Sequence, residues 1–342
     1  MQPGSAIVIG TGLLGASVGL ALRSQGWEVA GWDPSPWALD EAMGRGAISS
    51  RRDGPEVGDA DLVVLAAPPS GVVTTLEQMS TDRLATDIAG VKTPVVAAAS
   101  HLPHFVGGHP MAGGESSGPG LASSTLFHGA TWILVSDGAD PADLDSLRAL
   151  VSSFGANPKL MTAVEHDAAV ARVSHLPHLL AAALMGLARS DPTALELAGG
   201  GFRDLTRIAA ADSGWWAEVL TANASNVGAS IDALQTSLEE WRRALSGGPG
   251  GSVAERLEAA RVARAGLGEH HTQVRVVLLD RPGEIARVGH ALENSRVDVR
   301  DFQLRHGEHG GGGILTISVK GEGREALTMA LVDEGFEVRV DG

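Results

Sequence analysis

The chain has 342 residues, 44% hydrophobic and 20% charged, which is enough apolar material for packed cores in about two domains of roughly 150 residues each. Its 26 Lys and Arg against 41 Asp and Glu leave a net charge of -15, which argues against nucleic acid as a partner. Cys and Tyr are absent, so disulfides, thiolate metal ligands, cysteine nucleophiles and a tyrosine general acid are excluded.

The first elements spell a βαβ unit. Ala6-Ile7-Val8-Ile9 is a short apolar run, and Leu14, Val18 and Leu22 then recur at helical spacing up to Gly26. Trp27 to Trp32 reads as the next strand. Further strand candidates at Leu62 to Ala67, Leu84 to Ile88, Phe105 to Gly107 and Thr131 to Val135 predict a parallel sheet with helices on both faces, an α/β Rossmann domain over residues 1–160. From 161 to 246 the chain is Ala/Leu-rich, as in Leu179 to Met185, and several helices are apolar on more than one face. Such helices need a cover, so an all-α domain that forms a homodimer is expected. Ser246 to Ser252 is a glycine-rich linker, and a charged helix from Val253 to Leu267 completes a spacer over 247–270. Residues 271–342 then read strand (Thr272–Leu279), helix (Gly283–Asn294), strand (Val297–Arg305), strand (Ile314–Lys320), helix (Arg324–Asp333) and strand (Phe336–Val340). That βαββαβ order is ferredoxin-like. No secretory leader pattern and no apolar run near ~18 residues are evident, so a soluble cytoplasmic protein without a membrane partner is expected.

The glycine pattern carries the first chemical signal. Gly10-Thr11-Gly12-Leu13-Leu14-Gly15 follows a strand and opens a helix, and Asp33 ends the next strand 18 residues after Gly15. Gly10 permits the turn, Gly12 admits a pyrophosphate to the backbone, and Gly15 lets helix and strand pack closely. Asp33 would accept hydrogen bonds from ribose hydroxyls and repel a 2'-phosphate, so NAD is preferred to NADP. Pro68, just past the strand 62–67, is a further cofactor-lining candidate. The alternative is a glycine turn without a ligand.

Two histidine segments follow. His109 sits beside Pro110 and the glycines 113 and 114, just past a strand end, where open α/β sheets bind ligands and where a His can accept a proton. Ser174-His175-Leu176-Pro177-His178 and Gly199-Gly200-Gly201-Phe202-Arg203-Asp204-Leu205-Thr206-Arg207 come later. Two arginines four apart could clamp a carboxylate, or could simply flank Asp204 on the surface. His101 and His104 read as turn residues, and no metal is expected.

Together these segments resemble prephenate dehydrogenases. The resemblance rests on Ile9 to Gly15, His109-Pro110-Met111-Ala112-Gly113 with Glu115 and Ser117-Gly118, His166-Asp167, Ser174 to His178, and Gly200 to Ala209, over roughly residues 5 to 245. The last 70 or so residues are similar to an ACT regulatory domain. The resemblance implies NAD-dependent oxidative decarboxylation of prephenate, with His109 polarising the C4 hydroxyl and Arg207 anchoring the ring carboxylate. It places Arg203 and His178 near the pyruvyl end, Gly200 beside the substrate and Trp216 as a wall of the site. It also implies an aromatic amino acid effector held at Asp280-Arg281-Pro282-Gly283. A ligand-free dimerisation module is the other reading of that domain.

The chain departs from the family at two positions. Gly90 stands where Ser is usual, and Gly114 where Ser, Thr or Arg is common. Both flank the C4 substituent, so 4-amino-4-deoxyprephenate is an alternative substrate; arogenate, with an amino acid side chain in place of the pyruvyl group, is a second. An NAD-sensing regulatory protein is the non-enzymatic alternative, but it would have no use for His109 together with Arg207.

Overall fold

A computed structural model describes residues 2–113, 118–247, 252–266, 271–279, 281–306 and 312–340. The chain forms two compact units, Met1–Thr236 and Ser237–Gly342. The division falls inside a helix rather than in the glycine-rich linker.

The first unit opens with β1 (Ser5–Ile9), α1 (Leu13–Ser24), β2 (Glu28–Trp32), α2 (Pro36–Gly44), β3 (Ser50–Arg51), β4 (Leu62–Leu65), α3 (Pro69–Gln78), β5 (Leu84–Asp87), α4 (Thr93–Ala98) and β6 (Phe105–Val106). These strands make one sheet in the order β3-β2-β1-β4-β5-β6, parallel throughout. Side chains alternate across each strand. Ala6 and Val8 therefore enter one hydrophobic cluster, while Ile7 and Ile9 enter the cluster on the opposite face, as expected of a sheet covered by helices on both sides. The strand order reverses between β1 and β4, which opens a crevice at the carboxyl ends of those strands.

The expected parallel strand at 131–135 belongs elsewhere. β7 (Gly108–Pro110), β8 (Thr131–Val135) and β9 (Asn157–Met161) form a separate three-stranded sheet, with β7 antiparallel to β8 and β8 parallel to β9 across α5 (Pro141–Ser153). The strand expected over 105–107 is β6, ending at Val106, and the chain enters the second sheet at Gly108. The backbone at Gly108 passes over β5 so closely that a Cβ there would lie 2.5 Å from the Asp87 carbonyl oxygen. β9 was not anticipated. Its residues Asn157, Pro158 and Lys159 interrupt the apolar pattern that marks a strand.

The helical part comprises α6 (Ala163–Val170), a π-helical turn (Ala171–His175), α7 (Leu176–Arg189), α8 (Pro192–Glu196), α9 (Gly200–Thr206), a 3-10 turn (Arg207–Ala210), α10 (Ser213–Ala222) and α11 (Ala224–Leu245). Thr162 and Glu165 form a capping box that starts α6. The run Ala163–Arg189 is 27 residues of continuous helix, long and apolar enough by length and composition alone to cross a membrane. That corrects the expectation of no such run. Its N-terminal half, however, carries the buried polar side chains His166, Asp167 and His175, whereas Val173 and Leu187 are exposed.

The second unit contains the end of α11, then α12 (Val253–Ala265), β10 (His271–Leu278), α13 (Glu284–Ser295), β11 (Val299–His306), β12 (Gly313–Lys320), α14 (Arg324–Asp333) and β13 (Glu337–Val340). Its sheet has the order β11-β12-β10-β13 and is antiparallel. Val274, Val276, Leu315 and Ile317 on one face pack with Val288 and Ala291 of α13 and with Leu327 and Leu331 of α14. The element boundaries lie within two residues of those expected. Most of the linker, at 248–251, lies outside the described residues.

Candidate active site

The glycine loop is shaped by backbone contacts. Gly10 has φ +97, and a Cβ there would lie 2.5 Å from the Ala66 carbonyl oxygen; a Cβ at Gly15 would lie 1.9 Å from that of Gly10. Neither position can carry a side chain without moving the strand-to-helix turn. A Cβ at Gly12, by contrast, would meet nothing within 4 Å, so the loop presents bare backbone to the crevice. Asp33 braces the loop from the next strand. Its Oδ2 accepts the Thr11 amide at 2.7 Å and its Oδ1 accepts the Ser35 amide at 2.8 Å. Oδ2 also accepts the Thr11 hydroxyl at 3.3 Å, which leaves Oδ1 with a second lone pair for a ribose hydroxyl.

A cleft of about 580 Å³ runs from this loop to the helices. Gly12, Leu13, Leu14 and Pro68 line one end; Gly90 and His109 lie further along, and His175, Trp215 and Trp216 line the helical side. A space of that volume suits a small organic ligand.

Four elements hold a polar network behind His109. His109 Nδ1 lies 2.8 Å from His166 Nε2, and His166 Nδ1 lies 2.8 Å from Asp167 Oδ1. The Lys92 amide donates to Asp167 Oδ1 at 2.7 Å and the Thr93 amide to Oδ2 at 2.8 Å. Asn223 Nδ2 donates to the Asp167 carbonyl at 2.8 Å and meets His175 Nδ1 at 3.2 Å. An amide NH₂ only donates, so His175 Nδ1 accepts and its Nε2 carries the hydrogen. The π-helical turn 171–175 is what brings His175 into this arrangement, since one wide turn re-aims the side chains that follow it.

Burial sets the protonation of the ring nitrogens. It pushes His109 well below its ordinary 6.5, and the neighbouring His166, Lys92 and His175 push in the same direction, against Asp167. Burial likewise lowers His175, to about 4. For Asp167 burial works against the charge, but the hydrogen bonds from His166, Thr93 and Lys92 outweigh it, and the carboxyl stays below its ordinary value. His109 and His175 are therefore neutral and Asp167 is ionised near pH 7.

The scaffold for His109 is an ion pair. Lys92 and Asp87 are fully buried and in contact. Lys92 Nζ also donates to the Gly108 carbonyl at 2.7 Å, and Asp87 accepts the amides of Gly108 at 3.1 Å and Ala89 at 2.8 Å. The peptide preceding His109 is thus fixed on both sides.

The expected site residues are brought together only in part. The loop residues Gly12, Leu13 and Leu14, Pro68, Gly90, His109 and Trp216 share the cleft. His178 is buried and stacks on Trp216 with ring centroids 3.8 Å apart, one layer behind the wall. Arg203 and Arg207 are exposed and Gly200 opens α9; none of the three lines the cleft. Gly114 and Asp280 lie outside the described residues, and Arg281, Pro282 and Gly283 belong to the second unit. His101 and His104 are held apart from His109, His101 Nε2 at the Met79 carbonyl and His104 Nδ1 at Asp143, each at 2.8 Å. Sequence reasoning gave no role to Asp87, Lys92, His175 or Asn223, nor to His166 and Asp167 beyond their part in a motif. The available signal was a set of chargeable residues inside otherwise apolar segments.

Comparison with known proteins gives the following. Residues 18–160 match the family model described as prephenate dehydrogenase, nucleotide-binding domain, and residues 162–259 match prephenate dehydrogenase, dimerization domain. "Probable prephenate dehydrogenase NovF" of Streptomyces niveus is 33% identical over 94% of this chain and 96% of its own length. The crystal structure of prephenate dehydrogenase from A. aeolicus in complex with hydroxyphenyl propionate and NAD+ superposes with a TM-score of 0.72 at 27% identity, covering 78% of this chain and 99% of that one. Synechocystis arogenate dehydrogenase superposes with a TM-score of 0.66 at 27% identity, over 76% of this chain and 98% of that one.

Proposed function

The chain belongs to the prephenate dehydrogenase family, and on that premise we propose that it is an NAD-dependent oxidoreductase converting prephenate to 4-hydroxyphenylpyruvate and CO2. The observation that carries this reading is that the dinucleotide loop and a neutral, half-buried histidine open into the same cleft. The loop fits the cofactor, because Gly12 leaves its backbone open to a pyrophosphate and Asp33 stands where a ribose would lie. NAD, when bound, supplies the acceptor for the hydride from C4.

The protein's own part is proton handling and anchoring. As the C4 hydroxyl becomes a carbonyl its proton passes to His109. Loss of CO2 from C1 then makes the ring aromatic. We assign the ring carboxylate to Arg207 and the pyruvyl end to Arg203, His178 and Gly200 on the family resemblance alone, since Arg207, Arg203 and Gly200 do not line the cleft of the single chain and His178 lies behind Trp216, which walls it. In a chain of net charge -15, a local guanidinium is the means of holding a dianion.

A second reading concerns the C4 substituent. A Cβ on Gly90 would lie 3.8 Å from His109 Nε2, so a glycine there leaves open the space beside the base that a larger side chain would fill. That supports 4-amino-4-deoxyprephenate as the alternative substrate, with arogenate as the variant at the other end of the molecule. NADH formation measured with the three substrates in parallel decides among them, and no turnover of any would reject the dehydrogenase reading.

We read the exposed apolar side chains of the helical part, including Val173, Leu187, Leu197 and Leu205, as the surface of a homodimer of a soluble, cytoplasmic enzyme, in keeping with the dimerization-domain match. The second unit, with its βαββαβ order, we read as a ferredoxin-like ACT domain that takes an aromatic amino acid at 280–283. Gly283 there has φ +94 and caps α13. Tyrosine added to the NADH assay tests that assignment.

A further inference from the structure

We propose that His166 and Asp167 are positioning residues for this reaction: they fix His109 in the tautomer that leaves Nε2 as the proton acceptor, and they take up the positive charge when the proton arrives. The inference deepens the reading above and rests on it. Its basis is a chain of hydrogen bonds whose polarity, with both imidazoles neutral, has one direction.

The argument starts at Asp167. Its two oxygens accept the backbone amides of Lys92 and Thr93, which can only donate, so the carboxylate is held as an acceptor. His166 Nδ1, 2.8 Å from Oδ1, must therefore carry a hydrogen. With His166 neutral, that is its one N–H, which makes its Nε2 a bare acceptor; a cationic His166 would instead donate from Nε2 and leave His109 in the Nε2–H form. His109 Nδ1, 2.8 Å from that atom, must carry the hydrogen in turn. His109 Nε2 is then left with a free lone pair, on the side of the ring that faces Gly90 and the cleft. The opposite tautomer would present an N–H to the substrate hydroxyl and could not act as a base. Among the described residues, the other chargeable groups around His109 are Lys92 and Asp87 from the β5–α4 segment and His175 from the π turn, with Asp212 at the start of α10 on the cleft wall.

The same chain receives the proton. The C4 O–H bond breaks and its proton joins His109 Nε2 as hydride leaves C4. The Nδ1 hydrogen of His109 can pass to His166 Nε2, which leaves His109 neutral and places the cation on His166 beside the ionised Asp167. Atoms and charge balance without another reactant. The logic is that of a base oriented by a carboxylate, with one imidazole interposed.

The test begins with the ¹⁵N spectrum of the histidines in the wild-type protein, which reads tautomers without any turnover. His109 as the Nδ1–H form and His166 as the Nδ1–H form are expected; His109 as the Nε2–H form overturns the proposal. Asp167→Asn is expected to lower kcat by about 10²-fold or more, to change KM for substrate less than about threefold, and to move the acid limb of the pH profile to lower pH, because a negative charge that favours protonated His109 is gone. His166→Gln retains an acceptor for His109 Nδ1–H but cannot take up the proton. It is expected to keep the His109 tautomer while lowering kcat by about tenfold. A folded Asp167→Asn with unchanged kcat and acid limb, or losses in both variants that only track the fraction folded, would overturn it. If the wild-type protein turns over none of the substrates, the family reading fails on its own, and the spectrum still reports the tautomer.

Discussion

His109 Nδ1 lies 2.8 Å from His166 Nε2, so the side chain that faces the cleft is tied through its other nitrogen to a residue with no solvent exposure. Two imidazoles at this distance cannot both be cationic, since four N–H groups would leave no acceptor between them. The contact therefore couples the protonation of the base to the interior of the helical part.

The pH dependence follows from that coupling. His109 must be unprotonated to accept a proton, and burial, followed by His166, Lys92 and His175, holds it well below 6.5. Activity is lost as pH falls through this depressed value, so the acid limb of kcat should lie below pH 6.5. A rate profile from pH 4.5 to 9 checks it, and an acid limb at or above 6.5 would contradict the environment described.

Replacing the two principal side chains should separate chemistry from binding. His109→Asn removes the acceptor and should lower kcat by about 10²- to 10⁴-fold with little change in KM. Arg207→Ala should chiefly raise KM for the substrate. Initial-rate kinetics distinguish the two, and a reversed pattern would reject the assigned roles.

Two glycines should respond in opposite ways. Gly15→Ala forces a methyl group to 1.9 Å from the Gly10 carbonyl oxygen and should abolish NAD binding measured by calorimetry. Gly90→Ser meets its nearest neighbours, the His109 ring atoms, at 3.8 Å, an ordinary contact. It should fold with Tm close to the parent and place a hydroxyl beside His109. If C4 carries a hydroxyl in the true substrate, KM for prephenate should fall. If it carries an amino group, the substitution should weaken binding of the 4-amino compound.

Stability should be sensitive to the buried pair and to acid. Lys92→Met leaves Asp87 as an uncompensated buried charge and should cost about 3–5 kcal/mol, read by denaturant unfolding; a cost below 1 kcal/mol would show the pair to be dispensable. His175 stays neutral down to about pH 4 when folded but protonates near 6.5 in the unfolded chain. Between those values the unfolded state binds more protons, so stability falls as pH falls from 6.5 to 4. Tm at pH 7.5 and pH 4.5 measures the drop, and His175→Gln should reduce it.

Much of the molecule is set by local pattern. The strand, glycine loop, helix and Asp33 of the first βαβ unit are legible because Gly10 and Gly15 answer nearby backbone constraints, while Gly12 leaves the loop backbone open. The βαββαβ order of the last domain is legible for the same reason, as apolar periodicity switches between 2 and 3.6 within short segments. His109 could be picked out by its place past a strand end.

What tertiary structure decided is how side chains distant in sequence meet. No periodicity could show that Lys92 and Thr93 would donate to Asp167, 75 and 74 positions away, or that His166 would stand behind His109, 57 positions away. Nor could it show that the strand 131–135 would pair with β7 and β9 in a separate sheet. Local sequence determines backbone conformation through sterics and the burial of one face. The tautomer and charge of a buried histidine depend on which donors and acceptors surround it, and only the folded chain brings those together.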